Sequence, residues 1–190
     1  MLFSSKVVAI GASTGGVEAL ETLMARFPMN IPPVVLVIHM PVGFTKLFAA
    51  RLDTLLKYTV KEAQTGDILT RNQILIAPAG KHMKVVNKDG RLVVECFVGP
   101  KVQSVIPSAD VLFESVAENI RHNAIGVILT GMGADGARGL LKMREKGAVT
   151  IGQDRETSAI YGMPKVAFEM GAVQYQLPLG KIADKIFQHV

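Results

Sequence analysis

The chain has no tryptophan and a single cysteine, Cys96, among its 190 residues. One thiol cannot form an internal disulfide, so the fold has to rest on its apolar core. Cys96 itself reads as a small buried apolar residue on a strand. Low-complexity tracts, internal repeats and interdomain linkers are all missing. No apolar run approaches the ~20 residues of a membrane span. The first residues, Met1 to Lys6, lack the apolar segment of a secretion signal. These absences exclude membrane insertion and predict a cytoplasmic protein. Aromatics make up only 6% of the chain, and few of them lie near basic residues. The formal charge of +5 comes from Lys and Arg that are scattered rather than clustered. A nucleic-acid interface would concentrate them in a stripe with stacking rings, so no nucleic-acid partner is expected. A mildly basic surface would also suit an acidic protein partner, but a soluble surface with a slight excess of Lys is the simplest reading. No His, Asp or Glu cluster has ligand spacing, so no metal is expected.

What is present is apolar sequence in short runs, 49% of the chain in all. That is enough for one domain over residues 1–190 with a sizeable core. A strand near 6–11 leads through a glycine-rich corner to a helix near 15–26. Phe27-Pro28-Met29-Asn30-Ile31-Pro32-Pro33 stops that helix. Val34-Val35-Leu36-Val37-Ile38 has the continuous β-branched character of a strand buried on both faces. The spacing of Phe44, Leu47, Phe48, Leu52, Leu55 and Leu56 predicts an amphipathic helix over 45–57. The middle reads differently. Short strands at 58–63 and 73–77, and runs at 83–87 and 91–97 around Lys88-Asp89-Gly90, suggest an antiparallel insert or sheet edge. Asp-Gly between two alternating runs is a strong hairpin signal. A loop spans 99–107. Alternation then resumes: a helix capped by Ser108 with Asp110 in its first turn, a buried strand at 125–129, a helix ending at Gly147, a strand at 148–152, a helix at 163–170, a strand at 172–176 and a helix at 182–189. This pattern predicts an α/β fold with a doubly wound, mostly parallel sheet, helices on both faces, and an antiparallel hairpin near 83–97.

In such sheets ligands bind at the carboxyl ends of the strands. Three reactive residues fall there. Ser13 follows the first strand within Gly11-Ala12-Ser13-Thr14-Gly15, a G-x-S-x-G pattern. His39 ends the second strand. Asp135 lies beyond the strand at 125–129. A hydroxyl, an imidazole and a carboxylate on one rim are the parts of a nucleophilic triad. The order Ser–His–Asp differs from that of α/β-hydrolases. The loop Thr130-Gly131-Met132-Gly133 and the amides of Thr14 and Gly15 offer backbone donors for an oxyanion. His82, His122 and His189 have no matching context and read as structural or solvated. A second pattern overlaps the first. Gly131-x-Gly133-x-x-Gly136 follows a strand, opens a helix and has Asp154 at the next strand end, which is a dinucleotide fingerprint. It would make the chain a nucleotide-binding oxidoreductase and leave Ser13 and His39 without a role.

Five motifs bear on that choice: Ile10-Gly-Ala-Ser-Thr-Gly-Gly16; His39-Met-Pro41 with Phe44-Thr45; Pro107-Ser108-Ala-Asp110-Val-Leu-Phe113; Leu129-Thr-Gly-Met-Gly-Ala-Asp-Gly136; and Gln153-Asp154 with Tyr161-Gly-Met-Pro164. Together they resemble the catalytic domain of the bacterial chemotaxis protein-glutamate methylesterases, the CheB family, over essentially the whole chain. Ile38 departs from the family, which often has Gln there. The resemblance implies a triad of Ser13, His39 and Asp135, with the Met132 backbone amide in the oxyanion hole. It implies hydrolysis of glutamyl methyl esters, and deamidation of glutamines, on the cytoplasmic helices of methyl-accepting chemoreceptors in a two-component pathway. It also implies an N-terminal receiver domain as a regulatory partner. Since this chain begins at the first catalytic strand, it is expected to be an excised fragment or a stand-alone esterase, and a fragment is expected to be constitutively active.

Overall fold

Nine strands and six α-helices alternate along residues 6–190, the part of the chain that the computed structural model describes. The first five residues, which were read for a secretion signal, lie outside that range. The long apolar runs become the buried centre of the sheet. β1 (Val7–Ala12), β2 (Val34–Ile38) and β7 (Ala124–Ile128) are buried at every residue. Such strands need cover on both faces, and they receive it. Val7 and Ala9 pack toward α3 (Ala109–Asn119) and α4 (Ala137–Glu145). Val8 and Ile10 pack toward α1 (Gly16–Met24), α2 (Phe44–Leu55) and α6 (Leu179–Phe187). Alternate residues of one strand thus belong to two different cores.

The main sheet has seven strands in the order β3-β4-β2-β1-β7-β8-β9, all parallel. The chain leaves β1 toward β2 and later returns on the other side of β1 as β7. The carboxyl ends of β1 and β7 are therefore a topological switch point. A separate antiparallel hairpin, β5 (His82–Lys88) with β6 (Arg91–Phe97), turns at Asp89-Gly90 as the sequence predicts. It packs beside α3, where Ser115 accepts from the Val85 amide (2.9 Å) and Asn119 donates to the Val85 carbonyl (3.1 Å).

The middle of the chain corrects one expectation. β3 (Thr59–Glu62) and β4 (Gln73–Ile76) belong to the main sheet and pair in parallel. Parallel neighbours usually need a dozen or more linking residues and a helix. Here the shorter link has no helix and is held instead by β6: Gly66 donates to Val94, Leu69 to Leu92, and Val94 to Asp67. The boundaries shift elsewhere. A 3₁₀ turn at Arg121–Asn123 follows α3. The remaining elements are β8 (Val149–Gln153), α5 (Met163–Glu169) and β9 (Tyr175–Leu177). β9 lies a few residues later than 172–176, and α6 begins directly after Pro178 rather than at 182.

Candidate active site

Ser13 sits one residue past β1 and His39 one residue past β2. Their neighbours Ala12 and Ile38 are register partners, and the His39 amide donates to the Ala12 carbonyl (3.2 Å). The two residues therefore leave the sheet one strand spacing apart, about 4.8 Å. The corner after Ser13 closes through a Gly16 amide bond to the Ser13 carbonyl (2.7 Å). Gly15 takes the left-handed conformation this turn needs, at φ 76°. The glycine absorbs the unusual dihedral, and Ser13 keeps an ordinary one. Ile38, the departure from the family, is buried among aliphatic side chains on the α1 side.

The loop after β7 comes back against Ser13. The Ser13 amide donates to the Thr130 carbonyl (3.0 Å), and the Thr130 hydroxyl donates to the Thr14 carbonyl (3.0 Å). A Cβ placed on Gly131 would lie 2.7 Å from the Ser13 Cβ and 3.1 Å from its amide nitrogen, and would also strike the Met163 sulfur. Only glycine permits that approach. The Met132 side chain points into solvent, 74% exposed. What this residue offers the site is its main chain. Among the described residues, no group accepts from the amides of Thr14 or Met132.

Asp135 is nearly sealed from solvent at 2% exposure. Its Oδ2 lies 2.8 Å from His39 Nε2 and accepts from the Ala109 amide at 2.7 Å. Its Oδ1 accepts from the Ser108 hydroxyl at 2.6 Å and the Asp110 amide at 3.1 Å. Burial alone would raise the pKa of this carboxyl, but the hydrogen bonds from His39, Ser108 and the two amides outweigh it and hold the pKa below its ordinary value. An ionised carboxylate only accepts, so Nε2 of His39 carries the proton and Nδ1 is the basic nitrogen. The ring is thus turned opposite to the serine-protease arrangement, where Nδ1 faces the acid. Asp135 does not cap α4, the helix that follows it. The structure gives that place to Gly136 and sets Asp135 against the start of α3 instead.

The elements of the dinucleotide fingerprint are engaged in other ways. The Gly131 amide donates to Ile160 and its carbonyl accepts from Met163, so the 157–163 segment lies along this loop. The first turn of α4 already holds a carboxylate, since Asp110 Oδ1 accepts from the Gly139 amide (2.8 Å). Asp154 accepts from the Thr157 amide and hydroxyl in its own turn. Sequence reasoning missed two contributors. Ser108 was read only as a helix cap, which it is, accepting from the Val111 amide (3.4 Å), but its hydroxyl also reaches Asp135. His82, read as structural, accepts the Ser108 amide on Nδ1 (3.2 Å) and faces the Pro100 carbonyl with Nε2 (2.9 Å). The signal for Ser108 was its place in the Pro-Ser-Ala-Asp motif; nothing in the sequence marked His82.

A cavity of about 300 Å³ opens beside His39, lined by Met40, Pro41, Lys101, Ser104, Val105 and Ile106. A larger one, about 540 Å³, lies among Met24, Phe27, Met29, Leu55 and Tyr58, away from all three reactive residues. Glu21, Lys57 and Tyr58 share its lining with the apolar side chains, and none of its lining residues belongs to the polar site.

Fold and site together define a doubly wound α/β domain whose polar centre crowns three adjacent central strands. Residues 8–186 match the sequence model of the CheB methylesterases, and the chain belongs to that family. The crystal structure of the Thermotoga maritima CheB methylesterase catalytic domain is similar, with a TM-score of 0.95 and 39% identity over 98% of this chain and 100% of that one. Protein-glutamate methylesterase/protein-glutamine glutaminase of Sulfurimonas denitrificans is 52% identical over 183 residues, 96% of this chain and 52% of the relative. Its namesake from Agrobacterium fabrum is 51% identical over 184 residues, again 96% and 52%. The chain thus spans about half the length of the curated relatives it matches.

Proposed function

We propose that the chain hydrolyses glutamyl methyl esters, and deamidates glutamines, on the cytoplasmic helices of chemoreceptors. The names carried by its relatives give the substrate class. The observation that carries the chemistry is the 2.8 Å contact between His39 Nε2 and a buried, ionised Asp135, one strand spacing from Ser13. Nδ1 of His39 takes the proton of the Ser13 hydroxyl as its oxygen attacks the ester carbonyl. Asp135 fixes the tautomer and stabilises the imidazolium. The free amides of Met132 and Thr14 receive the developing oxyanion. The carbon–oxygen bond to the methoxy group then breaks, and His39 returns the proton to the departing methanol. Water adds to the glutamyl ester of Ser13 by the same route and regenerates the hydroxyl. The reaction belongs to the cytoplasm, where the receptor helices lie. A receiver domain in the full-length form is the regulatory partner.

The test is methanol release from methylated receptor membranes. Wild type should release methanol and Ser13→Ala should release none while keeping its thermal unfolding midpoint. Equal release by both removes Ser13 as the nucleophile.

A further inference from the structure

The Pro107-Ser108-Ala109-Asp110 stretch contributes nothing that touches substrate in the chemistry above, yet it surrounds Asp135. We infer that Ser108 is a positioning residue for the reaction: its hydroxyl holds Asp135 in the orientation that binds His39 and sets how strongly that carboxylate attracts the imidazole. This rests on the reading of Ser13, His39 and Asp135 as the reacting group.

A carboxylate with donors on one oxygen only is free to rotate about its Cβ–Cγ bond. Asp135 has donors on both. Oδ2 is shared by His39 Nε2 and the Ala109 amide, and Oδ1 by the Ser108 hydroxyl and the Asp110 amide. The amides are fixed in place by α3. The Oδ1 side depends on Ser108, because its bond of 2.6 Å is much shorter than the 3.1 Å bond from Asp110. A hydroxyl donating to an anion at that length is a charge-assisted bond, about twice as strong as a neutral one. Its direction is also fixed. Ser108 Oγ accepts from the Val111 amide, so its own proton is left for Asp135. The residue is fully buried.

Ser108 is itself held from behind. Its amide donates to Nδ1 of His82, and the other ring nitrogen of His82 donates to the Pro100 carbonyl. With Nδ1 accepting the amide, Nε2 is the nitrogen that carries the ring proton. A connected line of side chains therefore runs from the 99–107 loop to the catalytic histidine. The Pro-Ser-Ala-Asp motif gains a function here: it brings one side-chain donor and two backbone donors to a single carboxylate.

The experiment compares wild type with Ser108→Ala and Ser108→Gly. Glycine is nearly as good as serine at a helix N-cap, so the second variant removes the hydroxyl with little loss of helix stability. Both should lower kcat for methanol release roughly 10- to 100-fold, the effect of losing a hydrogen bond to a charged group. KM should not change. A carboxylate with one donor fewer is the stronger base, so the acid limb of kcat/KM should move to higher pH. The NMR titration midpoint of the His39 ring should move the same way. Folded variants with wild-type kcat overturn the inference. So does a fall in kcat with both the acid limb and the His39 titration unmoved, which would make Ser108 merely structural. The NMR readout needs no turnover. A wild-type chain that releases no methanol would therefore overturn the proposed function, while the His39 titration would still decide the coupling.

Discussion

Asp110 and Asp135 exchange helix caps. The Asp110 amide, in the first turn of α3, donates to Asp135 Oδ1, while Asp110 Oδ1 accepts from Gly139 in the first turn of α4, just after Asp135. Each carboxylate sits at the positive end of the other's helix, where negative charge is stabilised. The two acids nonetheless differ. Asp135 has donors on both oxygens. Asp110 Oδ2 has only the long 3.5 Å approach of Arg138, whose side chain is largely exposed. Burial, followed by the nearby charge of Asp135, raises the Asp110 carboxyl above its ordinary value despite the Gly139 bond.

Asp135→Asn should damage both activity and stability. An amide group presents one acceptor oxygen where four donors converge, and its NH₂ faces two of them. We expect kcat to fall about 10³- to 10⁴-fold, as when a triad histidine is left in the wrong tautomer. Stability should fall by about 2 kcal/mol or more for the unmet donors. The pH dependence follows from the lowered pKa of Asp135. A carboxyl whose folded-state pKa lies below its unfolded value of roughly 3.9 stabilises the fold above that pH and ceases to do so as pH falls through the folded value. Urea unfolding at stepped pH should show the wild type's advantage over Asp135→Asn shrinking below about pH 4.

The opposite sign applies to Asp110. Its folded-state pKa is raised, so its contribution is favourable below the unfolded pKa and is lost as pH rises through the folded one. At neutral pH the ionised group costs stability. Asp110→Asn keeps an oxygen for the Gly139 amide and removes the charge. Its urea midpoint should exceed that of wild type at pH 7, and the gain should vanish near pH 3. A lower midpoint at pH 7 would show that the Arg138 contact outweighs the burial cost.

Gly131→Ala tests the approach of the β7 loop to Ser13. The new methyl would collide with the Ser13 Cβ and with the sulfur of the fully buried Met163. The loop must move, and it carries the Met132 amide. A displacement of about 1 Å at a reacting centre costs on the order of 10²-fold in rate. We expect kcat to fall by about that factor while the circular dichroism spectrum stays native.

Cys96 supplies a prediction away from the site. Burial, then the nearby negative charge of Asp67, pushes its thiol up to about 11. Almost none is thiolate at pH 8, so alkylation by iodoacetamide should be about two orders of magnitude slower than for an ordinary exposed cysteine. Mass spectrometry of a labelling time course reads this directly.

Much of this architecture is legible in the residues. Parallel strands buried on both faces are written as uninterrupted apolar runs. Val34 to Ile38 and Ile125 to Leu129 are of that kind, so their ends, and the reactive residues just beyond, could be placed without coordinates. The Asp89-Gly90 turn marked its hairpin for the same local reason. Long-range geometry is another matter. The parallel pairing of β3 with β4 was hidden because their link is held by β6, a partner that no local pattern specifies. The orientation of the His39 ring depends on where α3 begins relative to Asp135. Ser108 displayed one role, the local cap, while its second runs across the fold to a residue after β7. His82 carried no signal, because its partners are a backbone amide and a backbone carbonyl.

Ser13, His39 and Asp135 follow β1, β2 and β7, three neighbouring strands at the middle of a seven-stranded sheet. Sheet margins fray first, and the innermost strands open only with the whole molecule. Loss of β9 or β3 to partial opening should therefore leave turnover untouched. Heat inactivation should coincide with the cooperative melting of the domain, with no earlier, softer step at the candidate site.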